Sequence, residues 1–205
     1  MGYTTVRKQS EFTIVEKKSE FIGVCAPVTT EAEAIAFVNS VKKKHSAARH
    51  NVYAYVLREG NAQRFSDDGE PHGTAGMPVL DSIRKAGITD AAVVVTRYFG
   101  GILLGTGGLV RAYTAAASGA VKEAGIAEVG DFSVIEVKAN YSDYQKIMPI
   151  VSIFGAKTDD SDFGMEVVMT LSVKLEDSDK FMSELVETTN GRVIAKKVGQ
   201  KSDFI

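Results

Sequence analysis

Cysteines are scarce in the sequence and long apolar segments are absent, and each of these features excludes a class of protein. Cys25 is the only cysteine in 205 residues, so no internal disulfide can form, and its apolar neighbours predict a buried thiol in a reducing compartment. No apolar run approaches the roughly 18 residues that a membrane helix needs, and the first residues lack the apolar core of a secretory signal. We therefore expect a cytoplasmic protein without membrane contact.

An excess of charge of either sign is also missing. The chain carries 24 basic and 26 acidic side chains, a net charge of −2. Residues 1–130 hold 15 basic and 13 acidic side chains, a net charge of +2, whereas residues 131–205 hold 9 and 13, a net charge of −4. A protein that follows nucleic-acid phosphates over a long stretch would be far more basic. Any contact with nucleic acid must therefore be local.

The pattern of apolar residues predicts an α+β fold. At 205 residues and 44% hydrophobic, the chain can bury one large core or two small ones. In the first half, Thr30 followed by Glu33 is a capping-box signature for a helix. The β-branched run at 91–96 predicts an interior strand. The other predicted elements here are strands at 11–15, 21–28 and 52–57, and a helix from Thr106 that ends at Gly125.

The second half reads as strand, helix, strand, strand, helix, strand, which is the order of a ferredoxin-like domain. We place the domain boundary within 126–131 and assign 1–130 and 131–205 to separate domains. Its predicted elements are a strand at 132–139, a helix capped by Ser142 and Gln145, a strand at 156–159, a turn at 160–164, an alternating strand at 165–174, a helix from Asp177 and a strand at 193–198.

Glycine is concentrated in one region. Nine of the nineteen glycines lie between residues 66 and 110, where glycine allows positive φ angles and close approach of backbone. The run Gly100–Gly108 follows a strand and opens a helix, which is a place where backbone amides can bind an anion. It is not a phosphate-binding loop of known signature, since no Gly-Lys-Ser/Thr occurs. Tight turns and an anion site remain two open interpretations, and the apolar insert 102–104 predicts that part of the loop is buried.

Acidic residues cluster just before this region. Asp67, Asp68 and Glu70, with His72 and His50, could bind a metal or divide acid and base roles. Their spacing matches no metal signature, and Asp-Asp-Gly is also common in turns. A structural turn, a binding role, and metal or catalytic work all remain open.

Arg97, Tyr98 and Phe99 follow the predicted interior strand. If they are exposed, Arg97 can bind phosphate while the rings of Tyr98 and Phe99 stack on bases. If Arg97 is buried, we expect it to pair with Asp67, Asp68 or Glu70 and to join the two loops.

Two long motifs carry a family resemblance. The segment 66–76 reads SDDGEPHGTAG and the segment 93–112 reads VVVTRYFGGILLGTGGLVRA. Together with Lys17-Lys18 and His50-Asn51-x-Tyr53-Ala54-Tyr55, they closely resemble the signature of the IMPACT family, also called the YigZ or UPF0029 family. His72 stands where bacterial members usually have a small residue.

The resemblance implies a fold and a field of function. It implies a first domain like domain 2 of ribosomal protein S5, followed by a ferredoxin-like domain resembling the last domain of elongation factor G, a factor that works on the ribosome. Eukaryotic relatives regulate translation through a protein partner of a stress kinase, for which they use an additional N-terminal domain with no counterpart in these 205 residues.

We therefore predict a non-enzymatic, translation-associated regulator that binds RNA, the ribosome or a translation factor, without cofactor, metal or catalytic residue. The alternative is a phosphate- or nucleotide-binding enzyme that uses Gly100–Gly108 with Asp67 and Asp68. A third possibility is an interaction module whose second domain pairs through a sheet edge. The predicted binding surface consists of His50, Asn51, Asp67, Asp68, Glu70, Arg97, Tyr98, Gly100, Gly101, Gly105, Thr106, Gly107 and Gly108.

Overall fold

The computed structural model describes residues 2–205, which form two compact units, residues 3–128 and residues 129–205 with Gly2. The strands of the first unit are β1 (Tyr3–Val6), β2 (Ser10–Glu16), β3 (Ser19–Pro27), β4 (His50–Val56), β5 (Gln63–Ser66) and β6 (Ala91–Tyr98), and its helices are α1 (Glu31–Lys44), α2 (Gly76–Lys85) and α3 (Thr106–Ala124). Strands β2 to β6 form a five-stranded sheet of order β2-β3-β6-β4-β5, in which the strand pairs are antiparallel.

The central strand β6 separates two apolar layers because its side chains alternate between the faces of the sheet. Val93 and Val95 belong to the cluster formed with α2 and α3. Val94 packs instead with residues of α1, and Tyr98 packs on that same side. The predicted interior strand is confirmed, and Arg97 and Tyr98 consequently point to opposite faces.

Helix α3 lies unusually close to the sheet. Ala116, Ala117 and Ala120 are fully buried on its inner side, as the alanine-rich pattern indicates. A Cβ on Gly23 of β3 would lie 2.4 Å from the carbonyl oxygen of Ala116. The helix ends at Gly125, whose φ is 73°, as the sequence predicts.

Helix α1 begins as its capping pattern predicts. The Thr30 side chain accepts a hydrogen bond from the Glu33 amide at 3.2 Å, and the Glu33 carboxylate accepts one from the Thr29 amide at 2.7 Å. That backbone bond is the main reason that the pKa of Glu33 lies below its usual value.

Helix α2 has no counterpart among the predicted elements. It opens with Gly76 and carries Pro78 in its first turn, and both residues are typical of loops. Proline is tolerated there because first-turn amides have no partner within the helix.

The elements of the second unit are β7 (Ile126–Ala139), α4 (Tyr141–Ile153), β8 (Lys157–Phe163), β9 (Val167–Lys174), α5 (Ser178–Thr189) and β10 (Ile194–Phe204). Its strands have the order β10-β7-β9-β8, and all three pairs are antiparallel. In chain order this is 4-1-3-2, so the predicted ferredoxin-like domain and the α+β class are confirmed.

Three details of the second unit differ from the prediction. Strand β7 starts at Ile126 and runs through the segment assigned to the boundary. Strand β8 continues through the predicted turn at 160–163, and because all its residues are exposed, no apolar alternation marks it. Helix α4 is capped by Asn140, which accepts from the Asp143 amide at 2.8 Å, and not by Ser142.

The structure also bears on the expectations for Cys25 and for membrane-spanning helices. Cys25 is fully buried, and burial raises the pKa of its thiol to about 12, which keeps it protonated and inert. No helix within residues 2–205 is long and apolar enough to cross a membrane.

Candidate functional site

Asp67 closes the loop that leads into α2. Its carboxylate accepts hydrogen bonds from the amides of Gly73, Ala75 and Gly76 at 3.0, 3.2 and 2.7 Å. Burial alone raises the pKa of Asp67, but the three amides and the nearby His72 outweigh it, so the pKa lies below its usual value. Asp67 thus supplies the N-terminal bonds of α2, which is the structural-turn interpretation.

Asp68 ties the same loop to the sheet and to α1. Its carboxylate accepts from the Asn51 amide at 2.7 Å and from Lys42 Nζ at 2.9 Å. Its backbone carbonyl lies 2.8 Å from Nδ1 of His50. Because a carbonyl can only accept, that nitrogen of His50 carries the proton. Neither Asp67 nor Asp68 is left with a carboxylate free for chemistry.

Glu70 and Arg97 form a buried ion pair. Arg97 Nη1 donates to Glu70 Oε1 at 2.7 Å, and the two side chains are 7% and 4% exposed. The Tyr113 hydroxyl of α3 donates to the same oxygen at 2.8 Å. Burial and the neighbouring Glu70 raise the pKa of Tyr113 far above its usual range, so it remains a donor. The predicted internal pair between the two loops is confirmed, with Glu70 as the partner.

These bonds change the roles of several residues in the predicted binding surface. Asn51, Glu70 and Arg97 are buried, and each side chain bonds within the chain, although Nε of Arg97 has no hydrogen-bond partner within residues 2–205. Their side chains therefore support the surface and do not form it. Tyr98 lies on the α1 side of the sheet, where its hydroxyl is 3.1 Å from Nδ1 of His45. The structure therefore joins His50 and the Asn51 amide through Asp68 and joins Glu70 to Arg97 in a separate ion pair, and it leaves Tyr98 on the other face.

The glycines of 100–108 serve different purposes. A Cβ on Gly100 would lie 2.0 Å from the carbonyl group of Lys18, and the Gly100 amide donates to Ser19 Oγ at 3.1 Å. Gly100 is therefore required by close packing against the β2–β3 turn. Gly101 and Gly105 have φ angles of 84° and 72° and no atoms within 4 Å of the added Cβ. The start of α3, Thr106 and Gly107, is exposed, and Gly108 is half-buried.

Apolar side chains project from this loop into solvent. Phe99, Ile102 and Leu103 are 53%, 43% and 82% exposed, and Val110 at the start of α3 is 37% exposed. Of the insert 102–104, only Leu104 is buried, so the expectation of burial holds for one residue of three. We call Phe99, Ile102, Leu103 and Val110, with the glycines between them, the loop face.

None of these four apolar residues belongs to the binding surface predicted from the sequence, although Phe99 is predicted to stack on a base if it is exposed. Exposed apolar residues give no periodic signal, and a Gly-Gly-Ile-Leu-Leu-Gly segment looks the same whether one or three of its side chains are buried. The available signal was the absence of a helical or strand period around them.

Cations stand beside the loop face. Lys17 and Lys18 form the two-residue turn between β2 and β3 with φ angles of 45° and 62°, and Gly100 packs directly on that turn. Arg111 is exposed on the first turns of α3, with Nη1 3.5 Å from the position of a Cβ on Gly107. The loop face is thus apolar at its centre and basic at its rim.

His72 is almost entirely exposed and lies 3.6 Å from Asp67 through Nδ1. Within residues 2–205, no group of three or more His, Cys, Asp or Glu side chains is arranged to hold a metal ion.

The chain resembles known proteins along most of its length. A model of the Impact N-terminal domain matches residues 17–121, and a model of a domain of unknown function, DUF1949, matches residues 137–192. The chain is 37% identical over 192 residues to IMPACT family member YvyE of Bacillus subtilis (93% of this chain, 88% of that protein). It is 34% identical over 184 residues to IMPACT family member YigZ of Escherichia coli (87% of this chain, 90% of that protein).

Two further similarities have different extents. Protein IMPACT-A of Xenopus tropicalis is 37% identical over 99 residues, which are 45% of this chain and 30% of that protein. A crystal structure described as that of a hypothetical protein aligns with a TM-score of 0.62 at 29% identity and covers 97% of this chain and 98% of that one.

Proposed function

This chain belongs to the IMPACT family, and on that premise we propose that it is a non-enzymatic binding protein of the translation machinery, whose first unit contacts the ribosome, its RNA or a translation factor through the loop face. The observation that carries the proposal is the exposure of Phe99, Ile102 and Leu103 in one short loop. Contiguous apolar side chains in water are unfavourable for an isolated protein and are typical of interaction sites.

The scaffold beneath the loop face supports a binding role. Glu70 and Arg97 are bonded to each other and to Tyr113 below the surface, and Asp67 and Asp68 are bonded to backbone amides. These bonds hold the two loops in one arrangement, which lowers the entropy lost on binding. They also occupy the carboxylates that acid–base chemistry would need.

The turn Lys17-Lys18 supports a partner that carries negative charge. Positive φ angles at both positions are typical of Asn and Gly, and a non-glycine residue there costs about 1–2 kcal/mol. Despite this cost, the turn keeps two cations at the rim of an apolar surface, where phosphate groups of RNA are complementary to them. The even charge balance of the whole chain favours a local contact over extended phosphate tracking.

The test is co-sedimentation of the full chain with purified ribosomes across a salt series. We expect wild type to pellet with ribosomes at low salt, Leu103→Ser combined with Ile102→Ser to reduce the bound fraction at least fivefold, and Lys17→Ala combined with Lys18→Ala to weaken the salt dependence. The matched control is Ile153→Ser, which changes a residue 80% exposed in α4. Absence of wild type from the pellet at low salt, or equal pelleting of the loop and control variants, would contradict the proposal.

A further inference from the structure

The motif His50-Asn51-x-Tyr53-Ala54-Tyr55 sends side chains to both faces of the first unit's sheet. His50 lies on the side of Arg97, beneath the loop face, whereas Tyr53 and Tyr55 lie on the α1 side. The loop face therefore does not account for the two tyrosines. They line an open groove of about 190 Å³ between α1 and β4, together with Ile35, Val38, Asn39 and Lys42.

Aromatic and aliphatic side chains form much of the groove's walls. The rings of Tyr53 and Tyr55 are parallel within 7°, with centroids 6.4 Å apart. Tyr55 is buried and its hydroxyl donates to Glu31 at 2.7 Å, whereas Tyr53 is partly exposed. Ile35 of α1 is 50% exposed. An aromatic ring and an aliphatic side chain that both reach solvent provide a surface on which a planar ring can stack.

The size of the groove limits its ligand. Clefts for drug-sized molecules measure about 300–1,000 Å³, so a groove of about 190 Å³ accommodates one ring system and not a complete cofactor. A polar group stands at its wall, because the side-chain amide of Asn39 has no hydrogen-bond partner within residues 2–205. An amide offers both a donor and an acceptor, which a base edge requires.

Two cations flank these walls. Arg64 of β5 is the register partner of Tyr55 and so lies on the same face of the sheet. Lys43 follows Asn39 by one helical turn. Both are exposed, and neither forms an ion pair in the part of the chain that the structure describes. Lys42, by contrast, is paired with Asp68 at 2.9 Å and lies 5.5 Å from the Tyr53 ring centroid.

We propose that this groove binds one nucleotide of a single-stranded RNA, with the base against Tyr53 and the phosphates near Arg64 and Lys43. The aromatic wall suits a stacked base, and the Asn39 amide suits the edge of that base. The two cations, neither of which forms an ion pair within residues 2–205, suit a phosphate. A proline-rich peptide also stacks on tyrosines, but it has no use for the two cations. The site is on the opposite face from the loop face, so it does not depend on the function proposed above.

The test measures anisotropy of fluorescein-labelled octamers with the full chain. The strands are oligouridylate and a matched octamer with abasic positions, and unlabelled uridine monophosphate serves as a competitor. Stacking is worth about 1–3 kcal/mol per base, so we expect Tyr53→Leu to weaken oligouridylate binding about tenfold and Arg64→Ala with Lys43→Ala to weaken it further. Tyr141→Leu, at a tyrosine 50% exposed in α4, is the matched control and leaves binding unchanged.

Photocrosslinking of wild type to a strand containing 5-iodouridine gives a second readout that does not depend on the fold of a variant. We expect the crosslink on Tyr53.

Competition by uridine monophosphate at matched nucleotide concentration would identify a free nucleotide as the ligand, and weak competition would identify a strand. Both results support a nucleotide site. Equal binding of the abasic octamer, displacement by a proline-rich peptide but not by the monophosphate, or a crosslink confined to other residues overturns it. If Leu103→Ser abolishes ribosome pelleting and leaves octamer binding intact, the loop face and the groove are independent sites, and failure of one proposal does not count against the other.

Discussion

The first unit keeps both members of its central ion pair inside, whereas the second unit leaves half of its pair at the surface. Glu70 and Arg97 are 4% and 7% exposed, with a bond of 2.7 Å. Asp143 and Arg192 bond at 2.8 Å, but Arg192 is 47% exposed. Bond lengths are thus nearly equal, and burial is the difference. An ion pair therefore stabilises a loop scaffold strongly only where neither charge can return to water when its partner is lost.

Removing each cation in turn tests whether burial sets the strength of these two ion pairs. Arg97→Met leaves Glu70 buried with only Tyr113 as a donor, so we expect the free energy of unfolding of the first unit to fall by about 3–5 kcal/mol. Arg192→Met should have a much smaller effect, because Asp143 keeps its bonds to Asn140 and Lys146.

Hydrogen exchange followed by mass spectrometry measures the two units separately, since each peptide reports its own opening free energy. Adding Glu70→Gln to Arg97→Met should recover part of the loss. Equal losses in the two single variants would show that burial does not set the value of these pairs.

A second prediction compares two glycines. Gly100→Ala places a Cβ 2.0 Å from the Lys18 carbonyl, whereas a Cβ on Gly199 of β10 has no atom within 4 Å. We expect Gly100→Ala to destabilise the first unit by about 1–3 kcal/mol, the usual cost of overpacking, and Gly199→Ala to change the second unit by less than about 0.5 kcal/mol. Urea unfolding followed by circular dichroism checks both, and a harmless Gly100→Ala would mean that the turn and the glycine loop are not held together.

The smallest predicted effect concerns helix caps. Asp67 and Asn140 both accept amide bonds at a helix start, but only the Asp67 carboxylate titrates. The pKa of Asp67 lies below its usual value in the folded chain, so its contribution is present above the unfolded pKa of about 4 and is lost as pH falls through the folded pKa.

We expect Asp67→Asn to cost about 1 kcal/mol at pH 7 and to cost less at pH 3, because below the unfolded pKa the wild type begins to lose the stability that its lowered pKa supplies. Asn140→Ala should cost a similar amount at both pH values. Thermal unfolding of the single variants from pH 7 to pH 3 makes the comparison, and a pH-independent cost of Asp67→Asn would contradict the role given to its carboxylate.

Much of the fold could be predicted from the sequence because apolar periodicity is a local property. The alanine face of α3, the β-branched run of β6 and the strand–helix order of the second unit all follow from it. Helix α2 escaped prediction because Gly76 and Pro78 resemble a loop, and its N-terminal bonds come from Asp67, nine residues away from Gly76. Strand β8 escaped in part because an entirely exposed edge has no apolar alternation.

Composition and pattern alone determined the α+β class, the second unit's order of elements, the isolated cysteine and the family resemblance, since each depends on residue type and spacing. The tertiary structure decided which charged residues form ion pairs inside the protein. Arg97 is buried on Glu70, whereas Lys43 and Arg64 form no ion pair within residues 2–205, and residue type alone does not distinguish these three cations. It also decided that Ile102 and Leu103 face water and Leu104 does not. Burial depends on which distant segments meet, and one sequence read in order contains no measure of that.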